Sequence, residues 1–417
     1  MNNARTSWFS LFAPGILVAA TGVGAGDLMT ASMAGSKAGL AILWAAAAGC
    51  VLKWTLNEGI ARWQMATETT LLEGWVTRLG SWIQWVFMAY FLLWTFMVGG
   101  ALVSACGVAG TGLLPLGDAN TSRILWGILH SVVGMALVWV GGFAVFETMM
   151  SACIAFMFVG VLVTAVLLGP DWGEVVRGLF LPRISSEGAP WMLGVLGGVG
   201  GTVTLLSYGY WIQEKNRTGE TGIKACRIDL SVAYALTALF GMAMVIIGSR
   251  IKIQGQGAQL ALQLADQLAL VLGPAGKWMF LVGFWGAVFS SLLGVWQSTP
   301  YLFADFLRLR RRQAPGHEDI ILSRTPAYRA YLVGITFVPL ALLWLSVQQV
   351  QLAYAIMGAM FMPLLALTLL IMNNRERWVG GRFRNGWFTN AVLVITLLLF
   401  AYMGVLQLIG RMPSTGG

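Results

Sequence analysis

The sequence predicts an all-α polytopic membrane protein of about eleven transmembrane helices, ten of them forming a five-plus-five inverted repeat in which helices 1 and 6 are broken. Three observations carry that prediction. Of 417 residues, 58% are hydrophobic and 10% charged, with 19 Trp and 52 Gly, more apolar surface than a water-soluble globule hides. The apolar residues gather in runs of about 20, the length that spans hydrocarbon as helix. Two of these runs, five spans apart, share the same opening and the same glycine interruption.

In chain order the first run, 11 to 35, follows a short polar head with a single Arg5 and no small-residue cleavage site, so it reads as a span and not as a leader. Further spans fall near 38 to 62, 82 to 106, 123 to 142, 145 to 168, 191 to 213, 228 to 249, 277 to 304, 328 to 347, 351 to 372 and 388 to 410. The stretch 253 to 272, "IQGQGAQLALQLADQLALVL", keeps apolar residues at helical spacing but interrupts them with Gln and Asp266, which predicts an amphipathic helix on the membrane surface. An N-terminus inside the cell places 17 of the 26 Lys and Arg on the cytoplasmic side and eight outside, with Lys53 alone within a span, so the C-terminus is expected outside. The runs "RLRRR" and "NNRERWVGGRFRNG" then face the cytoplasm together, as topological determinants or anionic-lipid contacts, and no nucleic-acid partner is implied. Cys50, Cys106, Cys153 and Cys226 are scattered, without disulfide or zinc spacing, and read as small buried hydrophobes.

Residues 13 to 30, "APGILVAATGVGAGDLMT", laid over 189 to 206, "APWMLGVLGGVGGTVTLL", give six identities in 18, including "GVG" in both. An odd number of spans separates the copies, so they cross the membrane in opposite senses. The repeat is expected to divide the chain into 1–168, 169–372 and an added loop and span, 373–417. Glycine-interrupted segments at matching places in two halves point to a transporter's binding site. A break exposes backbone dipoles that need a partner, and carbonyls, hydroxyls and a carboxylate together suit a hard divalent cation. Asp27, directly after the first break, is the leading candidate, with Gly24 and Ala25 beside it and Gly200, Gly201, Thr204 and Ser207 in the second break. Gln297 in span 8 is a further candidate, and Asp27 and Thr204 are the candidate metal ligands. Bland alternatives stand next to these: glycine for close helix packing, Asp27 as an N-cap, and interhelical hydrogen bonds for the hydroxyls and Gln297.

Other charges have structural readings. Glu58 and Arg62, spaced i, i+4, are expected to pair, with Lys53 joining an internal salt-bridge network. Glu147 and Asp229 open helices 5 and 7. His130 and His317 lie away from both breaks, so a histidine proton relay is not expected at the site. No nucleophile, base and orienting group occur together, which argues against an enzyme.

The chain resembles the NRAMP divalent-metal transporters over nearly its whole length, on "APGILVAATG", on "TASMAGSKAG" and on "NNRERWVGGRFRNG". The resemblance implies a LeuT-type inverted-repeat bundle. It also marks a divergent member: the family's DPGN break falls on "GAGD", so Gly24 replaces the metal-binding Asp and Asp27 the Asn. The family's MPH break falls on Thr204, Leu205 and Leu206, the helix 10 glutamine falls near Ile356, and span 3 lacks acids. Loss of the sulfur ligand leaves oxygen donors suited to Mg and then Mn as the transported ion, with no resident cofactor and with weak or no proton coupling. The competing reading is an organic substrate, an amino acid or amine, held at the two glycine breaks. Apart from its small cargo and the lipid bilayer, here taken as a bacterial inner membrane, no obligate partner is implied.

Overall fold

The computed structural model describes residues 26–183, 189–198, 201–215, 217–251, 259–310 and 322–410, without side-chain detail for 26, 27, 81, 141–157, 189, 214, 271, 272 and 406–410. Among the described residues there is no strand. Nine helices there are long and apolar enough to cross a membrane, or ten if Phe158–Leu167 and Trp172–Phe180, bent by 117° at a short break, form one span. That count covers the described residues only: most of the expected first span precedes residue 26, and much of the expected fifth falls in 141–157.

A π-helical turn, Gly26–Ala31, leads into α1 (Ser32–Ala38), and Gly39 turns the chain into α2 (Leu43–Thr67). Then come α3 (Ser81–Leu113), α4 (Ala119–Leu167), α5 (Trp172–Phe180), α6 (Ala189–Gly198), α7 (Ser207–Glu214) and α8 (Gly219–Ser249). The chain ends with α9 (Leu260–Arg310), α10 (Pro326–Phe337), α11 (Val347–Ala359), α12 (Phe361–Met372), α13 (Glu376–Phe383) and α14 (Trp387–Gly410). Helix starts carry their own acceptors where lipid offers none: Asp118 accepts from the Asn120 and Thr121 amides, Thr325 from Tyr328, and Ser346 forms a capping box with Gln349. Exposed Trp82, Trp172, Trp344 and Trp387 stand at helix ends, where aromatic rings settle at a membrane interface. The opening of α9 is the expected amphipathic helix, with Leu260, Ala261, Leu264, Ala265 and Leu268 buried on one face and Leu270 80% exposed, before Gly273 (φ 66°) breaks it from the span.

Within the bundle α2 packs on α8, α3 on α9, and α6 on α11. Water-driven burial is absent between helices in lipid, so close backbone contact must supply much of the attraction. The α1–α8 seam is such a contact, and it is reciprocal. A Cβ at Gly35 would lie 2.3 Å from the Val245 carbonyl oxygen, and one at Gly248 would lie 2.2 Å from that of Ser32.

The end of the bundle where α2, α7 and α9 finish and α8 begins is laced by ion pairs. Glu58 accepts from Arg62 Nε at 2.7 Å and from Arg227 at 2.8 Å, with the Glu58 and Arg62 side chains each 4% exposed. Arg217 meets Asp229 at 3.2 Å, and Tyr208 donates to the same carboxylate at 3.1 Å. Asp305 holds Arg308 at 2.8 Å and accepts from Tyr210 at 2.6 Å, which joins α7 to α9. Cys50, Cys106 and Cys226 are buried, as expected, while the side chains of Cys153 and Glu147 lie outside the described residues.

Removing one member of a buried pair strands the other. Glu58→Gln is expected to destabilise the detergent-solubilised protein by about 3 kcal/mol in a thermal unfolding assay. Arg227→Gln, at a side chain 51% exposed, should cost under about 1 kcal/mol in the same assay.

Candidate functional site

The second break begins where α6 stops at Gly198. Beyond it Gly201 takes φ +88°, a conformation that side chains resist, and Thr202 is far from helical at φ −136°, ψ −105°. A 3₁₀ turn, Val203–Leu206, then restarts the chain into α7. An α-helix that stops inside a protein leaves its last carbonyls without intrahelical donors and carries a partial negative charge at that end.

Lys53 answers this. It is 0% exposed, and its ammonium donates to the Gly197 carbonyl at 2.8 Å. One turn earlier, Gly49 lets α2 come against α6, since a Cβ there would sit 2.9 Å from the Leu196 carbonyl oxygen. Glu58 and Arg62 pair as expected, and Lys53 reaches the end of α6. Five residues separate Lys53 from Glu58, which is about 140° around a helix of 3.6 residues per turn, so the two leave α2 on different faces.

Most of the first glycine run lies outside the described residues; directly after it the π turn Gly26–Ala31 packs against α6, α8 and α11. A π turn loosens the normal backbone ladder, and Ser32 Oγ donates to the Leu28 carbonyl and, at 3.2 Å, to that of Met29. Thr30 lies against α6, its methyl 3.1 Å from where a Gly194 Cβ would be, beside Ala355 of α11. Thr202 lies on Gly358 of α11, and Gly197 on the neighbouring Ala359. The two breaks therefore meet over one face of α11.

That junction holds buried oxygens with no hydrogen-bond partner among the described residues: Thr30 Oγ1, Thr202 Oγ1 and Ser207 Oγ. One turn before Ala355 on α11, Gln351 gives its amide N–H to the Ala101 carbonyl at 2.9 Å and leaves its Oε1 unpartnered as well. Buried polar atoms are almost always paired, so orphans gathered at two helix breaks mark room for water, an ion or a polar cargo.

Of the sequence-predicted residues, Gly201, Thr204 and Ser207 sit in the second break, with Thr204 and Ser207 buried. Gly24, Ala25 and Gly200 lie outside the described residues, as does the Asp27 side chain, although the Asp27 backbone belongs to the π turn. Gln297 is half-buried on α9, where its carbonyl accepts a long 3.5 Å contact from Tyr328. Sequence reasoning missed Thr30, Thr202, Gln351 and the role of Lys53. The signal for Lys53 was its standing as the one Lys or Arg deep in a span. No three His, Cys, Asp or Glu among the described residues converge as a metal group.

His130 is fixed away from this junction. Trp285 Nε1 donates to its Nε2 at 2.7 Å, so the ring proton resides on Nδ1 and is given to the Trp126 carbonyl at 2.7 Å. Both ring nitrogens are occupied by fixed partners.

A helical bundle with two facing broken helices and unpaired polar atoms between them defines a membrane transporter of the LeuT-type fold. The sequence profile described as natural resistance-associated macrophage protein-like (Nramp) matches residues 15–410, and the chain belongs to that family. It is 24% identical over 419 residues to the metal transporter nramp1 homolog of Dictyostelium discoideum, covering 96% of this chain and 74% of that protein. The manganese transporter of Eremococcus coleocola, solved with an aromatic bis-isothiourea substituted compound, superposes with a TM-score of 0.68 at 17% identity, over 100% of this chain and 91% of that one. MhsT in complex with L-phenylalanine superposes with a TM-score of 0.63 at 14% identity, over 98% of this chain and 99% of the other. At these identities the superpositions speak to the fold.

Thr202→Val keeps the side-chain shape and removes an orphaned hydroxyl. Unfolding stability should stay within about 1 kcal/mol of the parent or rise, because no hydrogen bond is lost. Transport in liposomes should fall several-fold, and a variant with unchanged transport would make Thr202 a packing residue only.

Proposed function

We propose that this chain carries a divalent metal cation across the bilayer by alternating access, binding it where the helix 1 and helix 6 breaks meet. The observation that carries the reading is the set of buried, unpartnered hydroxyl oxygens at that junction, in a chain whose family relatives include proteins named as metal and manganese transporters. Asp27 and Thr204 are the proposed side-chain ligands, completed by backbone carbonyls around Gly24, Ala25, Gly200 and Gly201 and by water. Oxygen donors without sulfur favour a hard ion, Mg before Mn, and magnesium keeps part of its hydration shell readily. With both nitrogens of His130 occupied and Thr204, Leu205 and Leu206 in the family's MPH position, transport proceeds with weak or no proton coupling.

We take residues 1–168 and 169–372 as the two inverted halves. Support comes from the packing of α2 on α8 and α3 on α9, since counterparts near a two-fold axis meet each other. The end laced by Glu58, Asp229 and Asp305 then faces the cytoplasm, together with the basic segment 373–386.

One observation favours a second reading. The buried Lys53 ammonium gives the junction a positive charge that would welcome the carboxylate of an amino acid or other organic anion.

In proteoliposomes the protein should take up Mg²⁺ or Mn²⁺ without acidifying the lumen. Asp27→Ala should lower uptake about tenfold or more, the loss that even an indirect partner of a bound metal causes. If divalent ions neither move nor shift the unfolding temperature while an amino acid or amine does both, the second reading replaces the first.

A further inference from the structure

We propose that an anionic glycerophospholipid binds between α3, α9 and α10, with one acyl chain in an apolar cleft and its phosphate on Arg310. The inference is independent of which cargo is carried. A cleft of about 330 Å³ opens there, walled by Leu92 and Phe96 of α3, Phe303 of α9, and Tyr331 and Val338 on the α10 side. That volume falls in the range of small-molecule clefts, roughly 300 to 1,000 Å³. Leu92 and Val338, 48% and 61% exposed, form its rim on the outer surface of the bundle. Its two hydroxyls answer each other, Tyr331 donating to Thr95 at 2.9 Å, so the cleft favours hydrocarbon over water or a polar cargo. Beside the cleft the same seam is tight: a Cβ at Gly99 would lie 2.6 Å from the Pro339 ring, whereas one at Gly334, within the cleft, would meet nothing within 4 Å. The opening is therefore a local gap in a packed seam, and Phe303 and Tyr331, stacked with ring centres 4.4 Å apart, hold one wall.

A cation stands at one end of the cleft. Arg310, the last residue of α9, lies with its guanidinium 4.3 Å from the centre of the Trp85 ring, which is 54% exposed near the start of α3. An exposed Trp at a helix end belongs to the headgroup zone, and a guanidinium held on an aromatic face still has N–H groups to offer a phosphate. Arg308 is engaged by Asp305, and the sequence adds Arg311 and Arg312 directly after Arg310. Seven residues separate Trp85 from Leu92 on α3 and Phe303 from Arg310 on α9, about 10 Å along each helix. Hydrocarbon fills about 15 Å on either side of the bilayer centre, with several Å of headgroup beyond it, so a lipid whose phosphate rests on Arg310 brings its chain to the level of the cleft. A zwitterionic lipid with the same chains would fill the cleft equally but set its own cation beside Arg310, which is why the occupant is anionic.

The test is thermal unfolding of the full-length detergent-purified protein, without any cargo, as dioleoyl phosphatidylglycerol or dioleoyl phosphatidylcholine is added. Phosphatidylglycerol should raise the wild-type unfolding temperature saturably by several degrees, as a ligand that binds only the folded state does, and phosphatidylcholine should raise it less. Glycerol 3-phosphate, which has the charge without the chains, should do nothing. Gly334→Leu, which fills the cleft, should unfold at or above the wild-type temperature without lipid and lose the phosphatidylglycerol shift. Arg310→Gln should weaken the apparent affinity for phosphatidylglycerol about fivefold, which is what one basic residue near an anionic surface is worth. Arg329→Gln should leave that affinity unchanged, because Arg329, near the start of α10, lies over Trp139 of α4. A wild type that responds equally to both lipids or to glycerol 3-phosphate, a Gly334→Leu protein that responds as wild type does, or equal losses from the two arginine variants would overturn the proposal. So would a wild-type dimer that Gly334→Leu converts to monomer in native mass spectrometry, since the cleft would then hold a second copy of the chain. If Gly334→Leu cannot be purified, the lipid comparison and the arginine variants still decide. Because no cargo is present, either outcome leaves the proposed transport function to be judged by the flux experiment.

Discussion

A peptide carbonyl that leaves its helix in the middle of a bilayer has no water to turn to, and each unpaired one costs several kcal/mol. The architecture of this protein is organised around that constraint. Helix 6 stops at Gly198, and the exposed carbonyl of Gly197 is met by an ammonium delivered from α2. In the π turn Gly26–Ala31 the ladder is loosened, and Ser32 returns its hydroxyl to the carbonyls of Leu28 and Met29. The hydroxyls of Thr30, Thr202 and Ser207 stay without a partner among the described residues, and the proposed binding site rests on them.

Two kinds of contact hold the breaks in register. Backbone-to-backbone seams, such as Gly35 with Val245 and Gly248 with Ser32, fix α1 on α8 at separations that no larger side chain allows. At one end of the bundle the carboxylates of Glu58, Asp229 and Asp305 each gather more than one donor, which ties together α2, α7, α8 and α9. Ion pairs hold that end together, while the junction between the breaks carries hydroxyl oxygens without a partner among the described residues.

Much of the fold was legible because its determinants are local. Apolar runs of membrane length, the repeated Ala-Pro opening and the matched glycines name spans and breaks without any knowledge of neighbours. The Glu58–Arg62 pair was legible for the same reason, being one helical turn apart. The contact of Lys53 with Gly197 was not legible because it depends on which face of α2 meets α6, a tertiary fact set by Gly49 and Leu196. Thr30, Thr202 and Gln351 were not distinguishable in sequence from the many hydroxyls and amides that bond between membrane helices. Their place where the two breaks meet, together with an unpartnered oxygen, separates them.

The central claim is that the meeting point of the two breaks is a hydrated binding site and not a packed seam. A single cysteine at position 202, with the four native cysteines replaced by alanine, tests it most directly through its reaction with a charged, membrane-impermeant thiol reagent in proteoliposomes. The account predicts modification from the aqueous phase that slows as Mg²⁺ or Mn²⁺ is added, with protection saturating over the concentration range that supports uptake. A thiol that never reacts, or one that reacts at a rate no divalent ion changes, would contradict it.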